Sequence, residues 1–414
     1  MSKLVQRSVL TGLVALLAST WASAGVTVLS KPQLGTFTTI QAAIDAASDN
    51  DVLLVDAGTY VGFTIDNKAL SVVATGAVTV NGTSKVIDLG PNRSVALIGM
   101  TLLAPSYQYG NIHGLVLDND TGNVRVQGCT MKGSLWHSGY GPAIGGHGAL
   151  VTSCARVIFT QCVFRGRDIG AWGGEDPAVG GDGLNATDSS IALYDCSLKG
   201  GEGSYETAPS GGDGGAGCRV TNYGVFASGS TFTGGRGESG DYFGCTTGGN
   251  GGAGLVLEGA QAQLLDDVTT GGLTSPVACI LGLDGQPIVS NGGVVNVLAG
   301  TRRKMTAPAV CTDNATLPIV VTGQPGDVAW LLFGKKPAFL FVPGLNGVLG
   351  IPSPWYASKR QLGVIGPTGV LNVGLPIGDL QGAVEGWLWT VQGWVQGAHE
   401  QFLTGPLRIL VRNT

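Results

Sequence analysis

Short apolar strands alternate with glycine-rich breaks along most of the 414 residues, and between residues 114 and 272 the alternation becomes a repeat. Five units open at Gly114-Leu115, Gly148-Ala149, Gly183-Leu184, Gly217-Cys218 and Gly254-Leu255, spaced by 34, 35, 34 and 37 residues. Each opens with a strand and a turn and continues into a second strand. Four of them close on a small residue, an apolar residue and glycine: Cys129-Thr130-Met131-Lys132-Gly133, Cys162-Val163-Phe164-Arg165-Gly166, Cys196-Ser197-Leu198-Lys199-Gly200 and Ser230-Thr231-Phe232-Thr233-Gly234. A unit that recurs at this period is one coil of a solenoid, because no single unit can bury its apolar face alone.

Ahead of the repeat, Ile40, Ala43, Ile44 and Ala47 share one face of a short helix, and Asp51–Val55 follows as an apolar strand closed by Gly58-Thr59-Tyr60. The run Ile40-Gln41-Ala42-Ala43-Ile44-Asp45-Ala46-Ala47, with Asp51-Val52 and Gly58-Thr59-Tyr60, resembles the opening of the right-handed parallel β-helix, or pectate-lyase-like, superfamily. The resemblance implies an all-β fold: a right-handed parallel β-helix over residues 25–300, with the N-terminal helix as its cap. It implies no activity, since this architecture carries lyases, hydrolases, esterases and adhesins.

A three-strand coil needs roughly 20 to 25 residues, so units of this length carry an insertion of about a dozen residues. The insertions Trp136–Gly146, Arg167–Gly181, Gly201–Gly212 and Gly235–Gly249 fall at one place in the repeat and are expected to form one wall. After residue 300 the repeat is lost. Val328–Phe333 follows a Gln324-Pro325-Gly326 turn, and Trp387, Trp389 and Val391 share one parity, so residues 301–414 read as a β-sandwich-like domain that would also cover the open end of the solenoid.

Composition changes this picture in three ways. Seventy glycines beside 12% charged residues set turns and loops as glycine's role; they fall in blocks, which excludes collagen. Residues 1–24 read as a secretory signal peptide, with Lys3 and Arg7, an apolar run from Val9 to Ala18 and Ala22-Ser23-Ala24 before the cut, so the mature chain is expected to be secreted, at the cell surface or in the periplasm. No later segment is long enough to cross a membrane as a helix. The formal charge of −5, which becomes more negative once the two basic residues of the signal are removed, disfavours nucleic acid and anionic membrane surfaces.

Eight cysteines lack metal spacing, so no metal and no cofactor is expected. Cys129, Cys162 and Cys196 occupy one repeat position and read as a buried ladder; proximity favours bridges Cys218–Cys245 and Cys279–Cys311.

Several sets of residues carry candidate chemistry. Lys132, Arg165 and Lys199 stack at one repeat position and could take the carboxylates of an acidic polysaccharide, or stand as solvated strand ends. His113, His147, Asp182, Asp213 and Asn250 each precede a glycine; as a stacked polar ladder they offer an acid/base pair, or alternatively cap turns. The insertions add Trp136, Trp172, Tyr205, Tyr242, Glu202 and Arg236, aromatics and polar groups suited to sugars, or aromatics that pin the loops. Gly146-His147-Gly148 is similar to a motif of polygalacturonase-type hydrolases, but the acidic motifs that precede it in that family are missing, so no catalytic residue is carried over.

The expectation is therefore a monomeric exported protein that binds extracellular or cell-wall polysaccharide through its loop-bearing face. The alternatives are a polysaccharide lyase or glycoside hydrolase, and a structural or adhesive surface protein.

Overall fold

The computed structural model describes residues 24–105, 113–136, 144–172, 177–206, 210–239, 247–276, 278–342, 344–352, 354, 358–380 and 385–413. The expected signal peptide, Tyr242 and Cys245 lie outside them. The fold is all-β, a parallel β-solenoid followed by a separate sheet domain. Among the described residues no helix is long and apolar enough to cross a membrane.

The single α-helix among the described residues, Ile40–Ala46, begins where the Thr39 hydroxyl accepts the N–H of Ala42 at 3.2 Å. Ile40, Ala43 and Ile44 are buried against the first coil, as their spacing predicts. An antiparallel pair, Val26–Val28 with Thr36–Phe37, covers the first parallel strand, Asp51–Val55. The N-terminal end of the solenoid is thus closed.

Each later coil runs through three faces. The strand Leu115–Asp118 leads by a left-handed turn at Asn119 into Asn123–Gln127, and a second left-handed turn at Gly128 leads into Thr130–Lys132. Corresponding strands pair in parallel, so equivalent residues stack: Leu115, Ala149, Leu184, Cys218 and Leu255 on one face, Val126, Phe159, Leu193 and Ala227 on the next, Met131, Phe164, Leu198 and Phe232 on the third. These columns are the core. Both turns repeat in register, the first as Asn119, Ser153, Asp188, Asn222 and Gly259, the second as Gly128, Gln161, Asp195, Gly229 and Asp266, all at positive φ. Asparagine, aspartate and glycine tolerate that region best, which is why they recur there.

The insertions form one wall, as their place in the repeat predicts, yet they are not loops. Each leaves the solenoid as one extended segment and returns as another, and the segments interleave. Gly181 donates to Arg167, Gly201 to Gly181, Gly215 to Gly201, Gly235 to Gly215 and Gly252 to Gly235, at 2.7–3.0 Å. Returning segments also bond to the next returning segment every third residue, Gly217, Gly214 and Gly211 donating to Ala253, Asn250 and Thr247. Three residues per turn is the repeat of polyproline II. One third of the N–H groups therefore point to a parallel neighbour, one third to an antiparallel neighbour and one third outward. Chains pack this closely only where side chains are missing: a Cβ on Gly201 would lie on the carbonyl oxygen of Arg167, and one on Gly235 on that of Gly201. We call this glycine lattice the fin.

The C-terminal domain packs a three-stranded sheet (Lys304–Thr306, Thr316–Thr322, Val370–Pro376) on a six-stranded one led by Gly386–Gln396, Val328–Gly334 and Leu407–Arg412. Met305, Leu317, Ile319, Leu331, Val391 and Ile409 lie between them. Trp387 and Trp389 line an apolar cleft of about 370 Å³ at one edge.

This domain does not cover the open end of the solenoid, contrary to expectation; it lies along the side. The face built from Asn123–Gln127, Val157–Thr160 and Ser190–Tyr194 is buried on both sides. Its outward Leu54, Val73, Ala96 and Ile98 pack with Leu410, and Ile158, Ala192, Tyr194 and Phe226 with Val348. Burying that apolar surface decides where the domain sits. Gln127 adds two hydrogen bonds with the backbone of Arg408, and the Thr160 hydroxyl donates to the carbonyl of Pro406 at 3.1 Å.

The expected bridges are also corrected. Cys279 and Cys311 are free thiols, one exposed on the outermost chain of the fin and the other in a strand of the C-terminal domain. Cys218 is free as well and sealed in the core, in register between Leu184 and Leu255. Cys129, Cys162 and Cys196 form the buried ladder, their Sγ atoms 3.3–3.6 Å from backbone carbonyls.

Candidate functional site

The fin stands between two faces of the solenoid, and the angle it makes with each is called a groove here. One groove lies between the outgoing segments and the face that carries Lys132; the other lies between the returning segments and the face that carries Arg219. The predicted residues separate between them.

In the first groove, Lys132, Arg165, Lys199 and Thr233 stand in register on successive coils, about 4.8 Å apart. Three residues further along each outgoing segment, where the lattice turns a side chain outward, stand Asp168, Glu202 and Arg236. Asp168 accepts the N–H of Glu202 at 3.0 Å. Glu202 lies 3.8 Å from Lys199 and 3.9 Å from Arg236, and Arg236 also pairs with Glu238. Among the described residues no carboxylate pairs with Lys132 or Arg165, and Arg165 is exposed. The groove floor thus holds a row of like charges of which two members are unneutralised. Separated by one coil rise, they repel unless an anion lies between them.

Three of the predicted aromatic residues, Trp136, Trp172 and Tyr205, fall on strands of the insertions. Trp136 lies in a strand that pairs with Ile144–Gly145, and Gly170–Trp172 pairs in parallel with Ser204–Glu206. Register places Tyr205 beside Ala171 and Trp172 beside Glu206, so residues 172 and 205 are not register partners.

The second groove contains the polar ladder, which the structure splits into two columns. His113, His147 and Asp182 form one; the next coil continues it with Ala216. Asp213 and Asn250 form another, one lattice step further out. Every member accepts an outward N–H of the following coil: His113 Nδ1 from His147, His147 Nδ1 from Asp182, Asp182 Oδ1 from Ala216, Asp213 from Asn250 and Asn250 from Leu283, at 2.6–3.0 Å. The two imidazoles stack at 5.0 Å. Burial holds His113 at a pKa of about 3, with His147 adding to the effect, and burial also lowers that of His147 against the pull of Asp182. Both rings are neutral acceptors at Nδ1. Of the two readings offered for the ladder, an acid/base pair or turn caps, the hydrogen bonds match the second: both imidazoles saturate backbone N–H groups.

Arg219 and Glu258 complete this cluster and are the residues sequence reasoning missed. Arg219 donates to Asp182 at 3.1 Å and to Glu258 at 3.0 Å, and Asn185 and Thr221 take further carboxylate oxygens. The signal was available: the repeat position Val116, Leu150, Asn185, Arg219, Val256 carries one charge. Arg219 is thereby shared between two carboxylates. Among the described residues no group of three His, Cys, Asp or Glu side chains could hold a metal ion.

No family model matches the chain, and no curated protein matches it. Part of it is similar to the solved structure of the sulfur carrier protein SoxY from Chlorobium limicola f thiosulfatophilum, at 12% identity over 28% of this chain and 81% of that one, with a TM-score of 0.14. A likeness of that size carries no argument about fold or function.

Proposed function

We propose that the protein is an exported, non-catalytic binder of acidic polysaccharide, of the pectate-lyase-like kind in architecture, and that the polymer lies along the groove between the fin and the Lys132 face. The observation that carries this reading is the in-register row Lys132, Arg165 and Lys199, with Lys132 and Arg165 free of carboxylate partners among the described residues. A polymer whose carboxylates recur near the coil rise meets one cation per coil. The outward positions of the fin, Asp168, Glu202 and Arg236, supply hydrogen-bonding groups for hydroxyls on the opposite wall.

The lyase or hydrolase reading has less support. Glu202, the carboxylate nearest the basic row, is held between Lys199 and Arg236, and the two histidines have their Nδ1 atoms engaged. An acid and a base poised at the groove are therefore lacking among the described residues.

Affinity electrophoresis in gels containing polygalacturonate or alginate, with parallel assay for unsaturated and reducing ends, tests the proposal. Retardation of the wild type, lost in Lys132→Glu/Arg165→Glu and weakened by salt, is expected without product release. Equal mobility with and without polymer, or retardation indifferent to the double reversal, would sink it. Product release that the reversal abolishes would move the enzyme reading ahead.

A further inference from the structure

The two ends of the solenoid are treated differently. At the N-terminal end the helix and the antiparallel pair cover the first coil. At the other end the strands Val268–Thr270, Ile288–Asn291 and Val294–Val297 each pair on one side alone, with the coil before. Their second edges carry backbone N–H and C=O groups that no strand among the described residues meets.

This end is apolar. Val297 is 77% exposed, Leu283 76%, Leu273 65%, and Ile280 and Leu281 58% each. Val295 and Val297 extend the core columns that pass through Ala262 and Leu264, so the interior of the solenoid is cut open here. From Val268 to Leu298 the sequence has one charged residue, Asp284, which is occupied in accepting the N–H of Thr274. Edge strands that must stay single are normally guarded by charge, proline or a bulge. The strand Val294–Val297 has none of these. The domain that follows leaves the end bare, because it docks along the side.

We infer that two copies of this chain join through these ends about a twofold axis, the strand Val294–Val297 of one pairing antiparallel with the same strand of the other. Head-to-tail stacking is disfavoured, since the N-terminal end lays a helix and the two-residue strand Thr36–Phe37 over the coil and leaves only the short strands Gly58–Val61 and Thr64–Asp66 paired on one side. A twofold contact needs only the open end itself, and an edge strand is self-complementary under such an axis. Register follows from parity: residues facing each other across strands must lie on the same face of the sheet. An axis through Asn296 sets Val295 against Val297 of the partner subunit, joins the two cores and brings the two Asn296 residues side by side.

Sedimentation equilibrium of the full chain tests this. A dimer is expected for the wild type at micromolar concentration, and Val297→Lys or Leu283→Lys should weaken association by about 100-fold or more. A wild type that remains monomeric at ~100 µM overturns the inference, as does a dimer insensitive to both substitutions or growth into open-ended oligomers. Asn296→Cys in a Cys279→Ser background reads out the register without disturbing apolar residues. Paired antiparallel positions lie within disulfide reach, so oxidation should yield a covalent dimer; failure to cross-link a protein that still sediments as a dimer would overturn the twofold register.

Discussion

Tyr194 holds Val348 by both of its backbone polar groups: the phenol oxygen accepts the Val348 N–H at 2.7 Å, and its O–H reaches the Val348 carbonyl at 3.2 Å. The ring is buried between the solenoid face and the C-terminal domain, beside Phe226. Tyr194→Phe keeps the packing and strands the buried Val348 N–H, while the carbonyl keeps the Gln392 Nε2 donor at 2.9 Å, a loss of about 1–3 kcal/mol. Because the change acts at the junction, limited proteolysis of the C-terminal domain should accelerate before the solenoid unfolds. Unchanged proteolysis and melting would show that the junction is held by its apolar contacts alone.

The fin makes a sharper demand on glycine than any turn does. Gly235→Ala puts a methyl onto the carbonyl oxygen of Gly201, and relief requires neighbouring chains of the lattice to part. We expect a loss of ~3 kcal/mol or more by chemical denaturation, at the upper end of the usual cost of overpacking. Gly128→Ala is the comparison. Its φ of +60° strains an L-residue, but nothing lies within 4 Å of the added methyl, so the cost should stay near 1–2 kcal/mol. Equal effects at the two sites would contradict the lattice.

How much of this was legible in the sequence depends on which periodicity was read. The solenoid was plain because the core columns recur with the repeat, as Met131, Phe164, Leu198 and Phe232 do. The fin was read as loops, although Gly211-Gly212-Asp213-Gly214-Gly215-Ala216-Gly217 and Gly248-Gly249-Asn250-Gly251-Gly252-Ala253-Gly254 carry a local three-residue period. Treating glycine as one composition concealed it. The same period explains the split ladder: Asp182 and Asp213 both precede a glycine but stand one lattice step apart. Side docking had a signal too, since Val157-Ile158-Phe159 does not alternate, and a strand apolar on both faces needs cover on both.

Asp120 gives the pH dependence a definite sign. Burial raises its pKa to about 7, although Oδ1 accepts the N–H of Leu89 at 2.9 Å. Between its unfolded value near 4 and about 7 the folded protein holds a proton that the unfolded chain has lost, so this group's contribution to stability falls as pH rises through that window. Asp120→Asn retains the acceptor and cannot ionise. Stability of the wild type minus that of the variant should therefore decline from pH 4 to 7 and level off above. His113, whose folded pKa is depressed, acts in the opposite direction but is common to both proteins and cancels in the difference. A difference that rises with pH would place the carboxylate in a charged, favourable setting and refute the argument.

The thiols provide a last check, because accessibility and ionisation point the same way. Burial raises the pKa of Cys129 to about 11 and that of Cys154 to about 12, and Cys162, Cys196 and Cys218 are buried with them. A thiol that is neither ionised nor reachable does not react at neutral pH. In a Cys245→Ser background, a maleimide should label Cys279 rapidly, Cys311 more slowly, and the five buried cysteines only after denaturation. Reductant should leave the melting temperature unchanged, since there is no bridge among these seven to break. If reductant lowered it in that background, or if Cys279 and Cys311 were protected together and released together, the pair would be bridged after all; the fin's last chain would then have to lie against the C-terminal domain, away from its place on the solenoid end.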